Sequence, residues 1–213
     1  MNAILPIRSF PLVAAVAATS AVALSALVFA QVNAPAPPPA TPSLATPVAE
    51  PVAALVVNAA AYLVVEATSG QVLAESNQRQ RRDPASLTKL MTAYLAFDAL
   101  HQKKLSLTQR LRVPERAWKA EGSRMFIEPG APVTTEDLLR GLLVQSGNDA
   151  AVALAIAIAG NEGEFIARMN REAKRLGMND TQFLNPTGLS QQGHYSTAHD
   201  LAVLSLALLR DFP

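Results

Sequence analysis

An α+β fold, opening with a β-hairpin and continuing as a helical subdomain, follows from three observations. Two short β-favouring runs flank a glycine turn at residue 70. Apolar residues then recur at helical spacing through most of the chain, and one helix-length run, "AAVALAIAIA", is apolar on every side.

Residues 1–54 stand outside that fold. Arg8 precedes an apolar stretch from Leu12 to Phe29, and Val28-Phe29-Ala30 fits a small-residue cleavage site before Gln31. Positive start, apolar middle and small-residue end read as a secretory signal peptide over residues 1–30. An uncleaved membrane anchor is the alternative, since the stretch approaches the ~18 residues a span needs. Its Ala, Ser and Thr content makes it weakly hydrophobic and favours cleavage. Both readings place the rest of the chain outside the cytoplasm, in the periplasm or cell envelope. Residues 31–54 are rich in Pro and Ala without an apolar period and read as a semi-rigid linker. One folded domain is expected over 55–213.

Composition narrows the classes further. With no cysteine there is neither a disulfide framework nor a thiolate metal site. Lys and Arg number 18 against 17 Asp and Glu, and loss of residues 1–30 removes Arg8 and no acid, which balances the charge. A neutral chain carries no electrostatic footprint for nucleic acid, and Arg79, Arg81 and Arg82 read as a solvated loop.

Taken in order, Tyr62–Glu66 and Gln71–Glu75 form the arms of a hairpin around Thr68-Ser69-Gly70. Asp83-Pro84 breaks the chain, and a helix is expected from Ala85 to His101, packed by Leu87, Leu90, Met91, Tyr94, Leu95 and Leu100. A long loop anchored by Trp118 follows. Thr135 is a natural N-cap for a helix carrying Leu138, Leu139, Leu142 and Leu143, with Glu136 and Asp137 at its positive end. The all-apolar helix from Ala150 to Ala159 is expected at the centre of the subdomain and ends at Gly160. A helix from Glu162 to Leu176 closes at Gly177, and the last helix spans Thr197 to Leu209, with Thr197 and Asp200 as cap residues. A hairpin alone is marginal without further strands or helical cover.

Ser86 and Lys89, in "DPASLTKLMT", stand at i and i+3 and face one side of a helical turn. They are either ordinary helix-start residues or a nucleophile and its base. A lysine desolvated near a helix N-terminus has its pKa pushed down and can take a serine's proton, while the free N–H groups of that terminus suit a developing oxyanion. Lys89 lies among Leu87, Leu90 and Met91, an odd place for an idle charge, which favours the second reading. Ser146-Gly147-Asn148 opens another apolar helix. By itself it reads as a cap and turn; beside Ser86 its hydroxyl could relay a proton and its amide could orient a carbonyl. His101, His194 and His199 show no metal spacing and read as surface or loop residues. No H-E-x-x-H, phosphate-binding glycine loop or G-x-S-x-G elbow occurs.

"DPASLTKLMT" and "LLVQSGNDAAVALA" together resemble the penicillin-binding serine D-alanyl-D-alanine carboxypeptidases, which pair S-x-x-K with S-G-N. The likeness extends through "AYLVVEATSGQVLAE", "GSRMFIEPG", "FIARMNREAKRLGM" and "NPTGL…G…STAHDLA". It implies an α/β sandwich of the β-lactamase and DD-peptidase type. It also implies Ser86 as acylated nucleophile, Lys89 as its base, Ser146 as proton relay and Asn148 as the amide that positions substrate and lysine. The substrate would be a peptidoglycan stem peptide ending in D-Ala-D-Ala, β-lactams would inhibit by acylating Ser86, and no metal or organic cofactor would be needed.

The resemblance also expects a K-T-G triad on a sheet strand, and none follows the second motif; the nearest match, Thr187-Gly188, has no lysine. The chain therefore reads as the N-terminal portion of a longer protein, with the C-terminal sheet strands and a membrane-anchoring tail missing, and as inactive or barely active alone in releasing D-Ala. Two alternatives stand beside it. A class A β-lactamase needs a glutamate to activate the deacylating water where this chain has Thr181. A non-catalytic wall-binding pseudoenzyme would keep the fold without turnover.

Overall fold

The computed structural model describes residues 57–213; the expected signal peptide and linker lie outside the described residues. Strands β1 (Tyr62–Val65) and β2 (Val72–Ser76) pair antiparallel, with an irregularity between Val64 and Val65. Their turn is closed by Glu66, whose carboxylate accepts from the Ser69 hydroxyl at 2.7 Å and from the Thr68 and Ser69 amides at 3.0 and 2.6 Å. Those bonds, the Ser69 hydroxyl first, hold the carboxyl near pKa 2.

The expected helix at residue 85 divides in two. Ala85–Thr88 form a 3₁₀ turn and α1 runs from Lys89 to His101. Leu87, on the tight turn, is 52% exposed and does not join the core, whereas Met91, Tyr94 and Leu95 are buried as expected. The stretch expected as one long loop contains structure of its own. Strand β3 (Arg110–Arg112) pairs antiparallel with β4 (Pro132–Thr134), and a short α2 (Glu115–Trp118) lies between them. Trp118 does not anchor this segment, for it stands 44% exposed.

Helix α3 (Thr135–Val144) is capped by Thr134, not Thr135: the Thr134 hydroxyl accepts from the Asp137 amide at 3.1 Å. Thr135 is buried, and its hydroxyl donates to the Gln109 carbonyl at 3.3 Å. Helix α4 (Asn148–Ala159) starts two residues earlier than the apolar run suggests and is buried from Asn148 through Ala155. Its alanines let neighbours approach closely, so it is shared by two cores. One joins it to α1, α2 and α3 through Ala93, Ala96, Ala117, Leu138 and Leu142. The other joins Ala155 to α1, to α5 (Glu162–Leu176) and to α6 (Ala198–Asp211) through Met91, Phe165, Met169 and Leu204. Asn161 and Thr197 cap α5 and α6 by accepting from Glu164 N and Asp200 N. No single helix among the described residues is long and apolar enough to cross a membrane.

Phe165 is fully buried in the second core. Phe165→Ala is expected to lower stability by about 3–5 kcal/mol through lost burial and the cavity left behind, read as a drop in the urea midpoint at unchanged m-value.

Candidate active site

The 3₁₀ turn presents Ser86 at the surface and α1 carries Lys89 inward, where it is 4% exposed. The i, i+3 spacing places Lys89 Nζ 3.3 Å from Ser86 Oγ. From the mouth of α4, Ser146 Oγ donates to Ser86 Oγ at 3.0 Å. Three of the four expected site residues thus converge on one hydroxyl. Ala85 and Ser146, one beside the serine and one opposite it, both adopt left-handed backbone (φ 46° and 57°). Such strain in non-glycine residues costs on the order of 1 kcal/mol or more each and persists only where packing enforces it.

Burial pushes the Lys89 ammonium down to about pKa 8, because the charged form is poorly solvated there. At neutral pH roughly a tenth of the molecules then hold Lys89 as a free amine, with a base lone pair 3.3 Å from the serine. In its charged form the group donates to the Thr187 carbonyl at 2.6 Å. A cleft of about 410 Å³ opens at this point, walled by Leu87, Leu90, Leu142 and Leu143. A larger groove, about 580 Å³, runs between β1 and α6 over Leu63, Val65 and Leu201 and holds neither Ser86 nor Lys89.

Asn148 is buried beside these groups, but its amide nitrogen donates to the Glu121 carbonyl at 2.6 Å instead of reaching Lys89. With Asp149 it secures the 121–127 segment against the start of α4. The Asp149 carboxylate accepts from the amides of Met125, Phe126 and Ile127 at 3.0, 2.9 and 3.3 Å.

Several residues that complete the site were not evident from sequence. Thr88, closing the 3₁₀ turn, and Lys89 and Thr92, on α1, form a buried polar stripe, and the 184–188 segment supplies the partners of Lys89 and Thr92. Thr92 Oγ1 donates to the Pro186 carbonyl at 2.7 Å. Asn185 Oδ1 folds that segment by accepting from Thr187 N, Thr187 Oγ1 and Gly188 N. Gly188, at φ 85°, rests against the Ala85 carbonyl so closely that a Cβ there would collide with it. A polar stripe on an otherwise apolar helix was the available signal, since buried polar groups need partners. His194, expected at the surface or in a loop, does lie in a loop but is buried: it is 4% exposed and contacts Thr88. The Arg79–Arg82 loop is exposed, with Arg81 paired to Asp180 at 2.8 Å. Thr181 donates to Asp200 at 2.7 Å and offers no carboxylate to a water. Among the described residues no group of three or more His, Cys, Asp or Glu side chains could hold a metal ion.

A family model described as D-alanyl-D-alanine carboxypeptidase matches residues 47–213. The chain belongs to that family. Among its relatives, the D-alanyl-D-alanine carboxypeptidase DacF of Bacillus subtilis is 42% identical over 156 residues, which is 73% of this chain and 40% of DacF. Crystal structures share the fold. Penicillin binding protein 5 of Haemophilus influenzae matches with a TM-score of 0.74 at 39% identity over 76% of this chain and 48% of that one. Penicillin-binding protein D2 of Listeria monocytogenes, in an ampicillin-bound form, matches with a TM-score of 0.67 at 32% identity, covering 75% and 64%. The chain spans about two fifths of the length of the curated carboxypeptidase relatives it matches.

Asp149→Ala is expected to cost about 2–3 kcal/mol by leaving amide donors unpartnered, with faster hydrogen exchange at Met125 and Phe126. Gly188→Ala is expected to destabilise by about 1–3 kcal/mol, and reductively methylated Lys89 should show a changed NMR titration as the Thr187 carbonyl is displaced.

Proposed function

We propose that this chain carries the acylation machinery of a serine D-alanyl-D-alanine carboxypeptidase, with its folded domain over 55–213 acting outside the cytoplasm. The observation that carries the reading is a serine hydroxyl shared between a buried lysine and a second serine, at 3.3 and 3.0 Å. Ser86 is the nucleophile. Lys89, as free amine, takes the Ser86 proton while Oγ bonds to the carbonyl carbon between the two terminal D-alanines of a stem peptide. The resulting tetrahedral adduct collapses as its C–N bond breaks, and Ser146 passes a proton from Lys89 to the departing D-Ala amine. Water then hydrolyses the ester on Ser86. Asn148, whose amide nitrogen is engaged by Glu121, orients the substrate through its side-chain oxygen. A β-lactam amide enters the same pathway, in keeping with the ampicillin-bound form of the Listeria relative. Export directed by residues 1–30 is part of the same proposal.

Fluorescent penicillin tests it. A covalent adduct that survives denaturation is expected on the wild type and absent from Ser86→Ala; adducts on both would reassign the nucleophile, and adducts on neither would overturn the reading. Because the base is an amine with pKa near 8, acylation should rise about tenfold per pH unit below that value and level off above it. A rate independent of pH between 6 and 8 would remove Lys89 from the role of base.

A further inference from the structure

One buried titratable group near the site takes no part in the chemistry above. His194 lies in the turn-rich segment between α5 and α6 and reaches both walls of the Lys89 seat. Its Nδ1 accepts from the Leu184 backbone N–H at 3.1 Å. A backbone N–H only donates, so Nδ1 holds no proton and the ring proton sits on Nε2. That nitrogen lies 2.8 Å from Thr88 Oγ1 and donates to it. Thr88 is fully buried on the turn that carries Ser86 and precedes Lys89 in the chain. Leu184 leads into the segment whose Thr187 carbonyl accepts from Lys89. Phe183 packs edge-on against the imidazole, with ring centroids 5.9 Å apart.

We propose that His194 is a positioning residue for acylation: as the neutral Nε2–H tautomer it clamps the Ser86 turn to the 184–188 segment and so fixes Lys89 relative to Ser86. The proposal rests on the roles assigned to Ser86 and Lys89 above. A second ring proton would sit on Nδ1 and face the Leu184 N–H, donor against donor, which opens the clamp. Burial disfavours that cation, while Asp83 on the approach to the turn favours it. Arg81 and Arg82 are exposed. Burial prevails and the imidazole pKa falls below its ordinary value. The clamp is therefore closed at neutral pH and opens only in acid.

Imidazole ¹⁵N shifts and the second-order rate of fluorescent-penicillin acylation, measured on the full chain, test the clamp. The wild type should show the Nε2–H tautomer at neutral pH and titrate below the ordinary histidine range. His194→Gln presents one amide donor and one acceptor and does not titrate. It should keep the neutral rate within a few-fold and lose the extra steepness that wild-type acylation gains in acid beyond tenfold per unit. His194→Leu and Thr88→Val should each lower the neutral rate about tenfold or more, with no further loss when combined. An Nδ1–H tautomer, an ordinary histidine titration, or a His194→Leu rate within twofold of wild type would overturn the proposal. If the wild type is not acylated at all, the assignment of Ser86 falls. The clamp is then still decided by the His194 tautomer and by the Lys89 ε-carbon titration, which should move in His194→Leu.

Discussion

A single ammonium group inside the protein, that of Lys89, sets the terms for everything around it. A buried charge without partners is expensive, and α1 has no backbone acceptor to spare for it within its own turns. The Thr187 carbonyl meets that need at 2.6 Å, but only if the 184–188 segment lies flat on α1. That contact requires a residue without a side chain at 188. It also brings Thr92 to the Pro186 carbonyl and His194 to Thr88. The network is a chain of consequences from one amine held where water cannot solvate it.

The second requirement is that a serine from a different helix meet the first. Helix α4 provides it by being small and buried, so that α1 and α3 both pack closely against it and the 146–148 turn reaches Ser86. The turn arrives in a strained left-handed conformation at Ser146, matched by that of Ala85 across the site. Two strained residues facing one hydroxyl are tolerated because rigid helices over-determine their positions. The same helices keep the cleft walls apolar, which holds the lysine's proton affinity down.

Much of this was legible in the sequence. Period and caps locate the hairpin and the helices after residue 135, because each feature is set by neighbours along the chain. The Ser86–Lys89 pair is legible for the same reason, since i and i+3 share a face. What escaped depends on residues far apart. Strands β3 and β4 are three residues each, "RLR" and "PVT", and define each other only across the intervening segment. Two adjacent threonines can each cap α3, and the choice falls to Thr134 because its extended backbone ends β4. Thr187 acts through its carbonyl, about which residue identity is silent. His194 reads as a loop residue until the loop is seen folded over α1.

The Asp149 carboxylate grips Met125, Phe126 and Ile127 only by their backbone N–H groups. Its hold is indifferent to what those residues are. Met125 is constrained by its close packing on Gly141, but Phe126 points outward, 75% exposed. The surface of this loop is thus decoupled from its foothold: the exposed position can change side chain, within what its left-handed backbone (φ 63°) allows, while the loop keeps its path. A loop anchored this way can vary on its outer side without disturbing the start of the helix that holds it.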